Sequence, residues 1–82
     1  MRLPRDLSGH EFAKLLHRYG YAVVRQTGSH IRLTSSLRGT PHHVTVPAHD
    51  SLKIGTLAGI LSEVAQYLEI DRATLSEELF GT

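Results

Sequence analysis

Between Tyr21 and Pro47 the chain holds three short runs rich in β-branched and aromatic residues, and the links between them are too short for anything but a meander. Tyr21-Ala22-Val23-Val24-Arg25-Gln26 is the first run, Ser29 to about Ser35 the second, and His42-His43-Val44-Thr45-Val46 the third. Thr27-Gly28 is the first turn. Ser36-Leu37-Arg38-Gly39-Thr40-Pro41 is a longer connection punctuated by Gly39 and Pro41, and Pro47 closes the third run. Parallel neighbours would need a crossover of a dozen or more residues, so the three strands pair antiparallel.

Helical patterns flank this meander. Ser8-Gly9-His10-Glu11 has the capping-box spacing, and Phe12, Leu15, Leu16 and Tyr19 then recur on one helical face. Gly20 is placed to end that helix in the left-handed conformation. After a loop from Ala48 to Gly55, Thr56 is the expected cap of a second helix with Leu57, Ile60, Leu61, Val64 and Leu68 inward. Asp71 opens a short third helix over residues 71–80, with Ile70 and Leu75 at hydrophobic-staple spacing and Leu79 and Phe80 as anchors. The order predicts an α+β fold in which two helices cover one face of a three-stranded antiparallel sheet and leave the other face wet.

An 82-residue chain has room for one core, so residues 1–82 read as one domain. Without cysteine there is no disulfide framework, thiolate metal site or thiol nucleophile. No apolar run reaches membrane-spanning length, and Met1 to Asp6 lead into no signal-peptide hydrophobic stretch, so a cytoplasmic protein without membrane contact is expected. The net charge of +1 conceals a strong asymmetry. Residues 1–49 carry seven basic groups, Arg2 among them, against two acidic ones, and all six histidines; residues 50–82 carry two basic groups against six acidic ones. Such a chain either meets a polyanion with one end or simply has two solvated faces of opposite sign.

Chemistry concentrates in Gly28-Ser29-His30-Ile31-Arg32-Leu33-Thr34. With Ile31 and Leu33 turned to the core, the period of two sends His30, Arg32 and Thr34 to the wet face. An imidazole held on a strand beside a guanidinium can move a proton near neutral pH while the cation holds an anion. RNA suits that pair, because its 2′-hydroxyl is a built-in nucleophile beside each phosphate. His30 is the candidate catalytic residue, as base or acid, with Arg32 or Arg25 stabilising developing phosphorane charge. His42 and His43 are adjacent in a strand and face opposite ways; whichever shares the outer face is a candidate second proton carrier. His49 either positions RNA or hydrogen-bonds its loop. Lys53 to Thr56 is either a phosphate-binding helix start or an ordinary one. His10, Lys14, His17 and Arg18 on the first helix read as solvent-facing. A zinc site from His30, His43 and His49 would lack thiol or acidic ligands apart from Asp50, so no metal or cofactor is expected.

Gly20-Tyr21, Arg25-Gln26, Gly28-Ser29-His30, Val44-Thr45-Val46-Pro47, His49, Lys53, Gly55-Thr56-Leu57 and Ile60-Leu61, in that order, resemble the HicA toxin family from about Ser8 to Leu68. The resemblance implies a double-stranded-RNA-binding-domain-like α-β-β-β-α fold. It implies an mRNA interferase of a type II toxin–antitoxin system, held inactive by a HicB-type antitoxin, with the family's catalytic histidine at His30. Ile31 stands where the family often has a second histidine, Ile54 where it often has proline, and the link before His42 is longer than the usual hairpin. The full set of expected RNA-binding residues is Arg25, Ser29, Arg32, His43, His49, Lys53 and Thr56, with mRNA and the antitoxin as partners and a monomer or weak dimer when free. The competing reading is a non-catalytic RNA-binding module of the same fold.

Overall fold

The computed structural model describes residues 3–81; Met1, Thr82 and Arg2, one of the basic groups counted above, lie outside the described residues. Helix α1 spans Gly9–Leu16 and runs into a single 3-10 turn, His17–Tyr19. Strands β1 (Ala22–Thr27), β2 (His30–Ser35) and β3 (His42–Pro47) follow, then helices α2 (Ile54–Leu68) and α3 (Arg72–Phe80). The sheet is antiparallel in the order β1-β2-β3. This is the expected α+β, double-stranded-RNA-binding-like arrangement.

The capping box forms as its spacing requires. Ser8 is extended (φ −81°, ψ 161°), its hydroxyl accepts from Glu11 N–H at 3.1 Å, and its own N–H donates to Glu11 Oε1 at 2.9 Å. The Ser8 N–H foremost, and then the Ser8 hydroxyl, stabilise the Glu11 carboxylate and hold it below the usual carboxylate range. Replacing Ser8 by alanine is expected to lower unfolding free energy by about 1 kcal/mol, read from the urea midpoint at unchanged slope. Gly20 takes the expected left-handed conformation, φ 81°, but closes the 3-10 turn, α1 itself having stopped at Leu16. Tyr21 N–H then reaches back to the Leu16 carbonyl at 3.3 Å, turning the chain into β1.

The core lies between the helices and the inner face of the sheet. Ile31 and Leu33 of β2, and Val44 and Val46 of β3, are buried against Phe12 and Leu16 of α1 and Leu57, Leu61 and Val64 of α2. Each such side chain contributes about 1.5–3 kcal/mol by leaving water. Helix α3 seals the far side of α2 with Leu75 and Leu79, and Phe80 meets Phe12 at 6.3 Å between ring centres.

Two boundaries differ from the sequence pattern, and a third keeps its place without its expected bond. Helix α2 starts at Ile54 with Lys53 as N-cap, so Thr56 lies in its first turn and caps nothing. Leu52 and Leu57, both buried, stand at the spacing of a hydrophobic staple about Lys53, and that anchoring outweighs a threonine cap. Asp71 does occupy the N-cap of α3, with Ile70 and Leu75 at staple spacing, but its carboxylate makes no capping bond. The first hairpin turns at Gly28-Ser29 rather than Thr27-Gly28, since Thr27 pairs with His30. Gly28 has φ 58° at the first central position, which glycine adopts without strain.

The long link before β3 is pinned from α2. Tyr67 Oη accepts from Arg38 N–H at 3.0 Å and donates to the Thr40 carbonyl at 2.5 Å, and Arg38 pairs with Glu69 at 2.9 Å. His42 turns inward here: its ring stacks on Tyr67 (4.8 Å, 12°) and its Nδ1 lies 2.7 Å from Tyr21 Oη. Burial raises the Tyr21 phenol well above its ordinary range, so it stays protonated. His17 is exposed yet not free, its Nδ1 lying 2.5 Å from the Tyr21 carbonyl.

Candidate nucleic-acid interface

Register fixes what stands on the uncovered face. His30 pairs with Thr27 on one side and Pro47 on the other; Arg32 pairs with Arg25 and Thr45; Thr34 pairs with Ala22 and His43. These are three parallel rows across the sheet, each separated from the next by two residues of β2. His30, Arg32, Arg25, Thr27, Thr45 and His43 are all exposed.

Strict alternation would put Arg25 on the same face as Val23, which pairs with buried Leu33. The register instead slips between Val23 and Arg25, leaving Val24 as an extra residue in β1. This bulge turns Arg25 over to face Arg32, the kind of re-aiming that bulges commonly perform beside functional sites. No regular period carries that signal.

Arg25, Thr27, His30, Arg32 and Thr45 line one open depression of about 380 Å³. Two guanidiniums directly opposite each other on neighbouring strands repel. Among the described residues neither makes a salt bridge; the single one present joins Arg38 to Glu69. Arg25 Nε makes only a long bond to Thr27 Oγ1, at 3.4 Å. An anion seated in the depression would relieve that repulsion and take charge-assisted hydrogen bonds from both arginines.

The other expected residues sit elsewhere. Ser29 is in the turn beside His30, exposed, and its carbonyl accepts from Ala48 N–H at 2.7 Å. His43 shares the outer face but pairs with Thr34, four residues along β2 from His30, or about 13 Å. A second proton carrier must reach the same phosphate, and this spacing sets the backbone of His43 two rows away from that of His30. His49 is exposed in the loop after β3, and its carbonyl accepts from Gly9 N–H at 2.9 Å. Lys53 and Thr56, at the start of α2, do not line the depression. Thr27 and Thr45 were not singled out by sequence. Thr45 alternates with inward Val44 and Val46, a signal the sequence carries, whereas Thr27 stands where the sequence pattern places a turn. No three His, Asp or Glu side chains among the described residues gather as a metal site would need.

The architecture places this chain among small α+β proteins built like double-stranded-RNA-binding domains. The family described as "HicA toxin of bacterial toxin-antitoxin" matches residues 9–65, from the first residue of α1 into α2. The chain belongs to the HicA toxin family. It is thus a toxin of a toxin–antitoxin system, from a family of toxins that are generally ribonucleases, and its partners in kind are RNA and an antitoxin. No curated protein and no solved structure matches the chain. No helix among the described residues is long and apolar enough to cross a membrane.

Proposed function

We propose that this toxin is a metal-independent endoribonuclease that cuts mRNA with His30 as its catalytic residue, and that a HicB-type antitoxin neutralises it. The observation that carries the reading is an exposed imidazole on the rim of a depression where two facing arginines lack an anionic partner among the described residues. In the step proposed, Arg25 and Arg32 hold the phosphate and His30 takes the proton of the adjacent 2′-hydroxyl. The 2′-oxygen bonds to phosphorus as the bond to the 5′-oxygen breaks, and the arginines stabilise the extra charge of the phosphorane. Solvent protonates the departing 5′-oxygen. The products are a 2′,3′-cyclic phosphate and a 5′-hydroxyl. An antitoxin laid over the rows of His30 and Arg32 blocks substrate and catalyst together.

The test is to incubate the purified toxin with RNA in excess chelator and identify the new ends. Cyclic phosphate termini are expected, and RNA carrying 2′-O-methyl groups should stay intact. A requirement for added divalent metal would overturn the metal-free route. Uncut RNA that is bound with a steep salt dependence would make this a non-catalytic RNA-binding module instead.

A further inference from the structure

We infer that Thr34 and His43 form a second phosphate-binding position, and that the substrate is therefore a single RNA strand lying along β2 across all three rows. This rests on His30 marking the cut, but its own geometry is independent of cleavage. Thr34 Oγ1 and His43 Nδ1 are 2.7 Å apart across the β2–β3 pair, on the same face as Arg32 and outside the depression. The contact ties the imidazole to its neighbour strand, so the ring is held rather than free to sweep. When the Thr34 hydroxyl donates to Nδ1, the ring proton resides on Nε2, leaving one donor for an incoming phosphate oxygen. An approaching anion selects that arrangement over the reverse one.

The spacing supports a strand of RNA. Successive rows are about 6.7 Å apart, since each is two residues of an extended chain. That is close to the separation of neighbouring phosphates in an extended nucleic-acid strand. A phosphate at the depression therefore places a neighbouring one near Thr34 and His43. Ala22, the β1 member of that row, is small and raises no wall beside it. The whole of β2 covers only about 20 Å, room for a few nucleotides. Shape-reading of a duplex needs contacts across two successive minor grooves, a longer reach than this sheet offers. The cleavage chemistry agrees, because in-line attack by a 2′-hydroxyl needs a backbone freed from A-form geometry.

The experiment measures binding with probes that cannot be cut: 2′-O-methyl uridylate dimer and hexamer, each titrated into the full chain. The dimer has one phosphate and fills only the depression; the hexamer also spans the Thr34 row. His43→Ala and Thr34→Val should each weaken hexamer binding roughly tenfold, as expected for losing a hydrogen bond to a charged group. Thr34→Ser should restore it, and the loss on the dimer should be distinctly smaller. A hexamer affinity within twofold of the parent's, or equal losses on both probes, overturns the inference. So does equal competition by a 12-base-pair RNA duplex. Should a variant melt early, His43→Gln, which keeps a side-chain donor, gives the same reading: retained hexamer binding supports the site and full loss overturns it. Intact unmodified RNA after incubation with the parent protein would instead sink the ribonuclease reading alone.

Discussion

His30→Ala should lower the rate of RNA cleavage by about 10²–10⁴-fold, the range that one positioned general base or acid supplies. The fold should survive it. His30 is exposed at the start of β2 and contributes nothing to the core, and a surface substitution of that kind shifts stability by about 0.5 kcal/mol or less. Arginines left in place would still gather phosphate, so RNA binding should persist while cutting fails. That separation is what distinguishes catalysis from adhesion. Single-turnover decay of a labelled RNA gives the rate, and growth of cells expressing the variant gives the biological readout. A residual rate above one-tenth of the parent's, in a protein that melts normally, would remove His30 from the chemistry and leave an RNA-holding surface.

The largest expected structural effect is at Gly9. A methyl group built there would stand 1.9 Å from the Pro47 carbonyl oxygen and 3.0 Å from Ala48 Cα. Both obstacles are backbone, so no side chain can swing aside. The close approach exists because Gly9 N–H donates to the His49 carbonyl at 2.9 Å, binding the first residue of α1 to the exit of β3. Gly9→Ala must therefore push α1 off β3 or break that bond. Overpacking of this kind costs typically about 1–3 kcal/mol and sometimes more, and its backbone character places it at the upper end. For a domain this size that is a fall in melting temperature on the order of 15 °C. Because Pro47 is the partner of His30 in the sheet, the variant should also cut RNA poorly even where it remains folded. A melting temperature within 3 °C of the parent's would show that α1 has room to move, against the packing described.

Much of this architecture was readable from local chemistry. Ser8 and Glu11 announced the start of α1, Gly20 the end of the 3-10 turn that continues it, and alternation about Ile31 and Leu33 sent His30 and Arg32 outward. Each of those signals sits within a few residues of what it specifies. Features set by distant contacts were opaque. Tyr67 secures the link after β2 through bonds to Arg38 and Thr40, 29 and 27 residues away, so nothing near Tyr67 reveals it. At the start of α2, Thr56 offers a local cap, but burial of Leu52 sets the N-cap three residues earlier at Lys53. Within the site, outward alternation found the histidine and one arginine. The slip at Val24 that brings Arg25 opposite Arg32, and the four-residue offset of His43, belong to pairing register, which a single strand's sequence does not state.

The extra residue in β1 has an effect beyond aiming an arginine. A small sheet with two outer margins exposes rows of unpaired amide groups, a ready template for stacking with another copy. One margin here is interrupted by Val24 in mid-strand, and the other ends in Pro47, which has no amide hydrogen to offer. Neither side presents the long, even ladder that runaway self-assembly requires. The irregularity that turns Arg25 toward Arg32 thus also makes that margin a poor template for pairing with another copy.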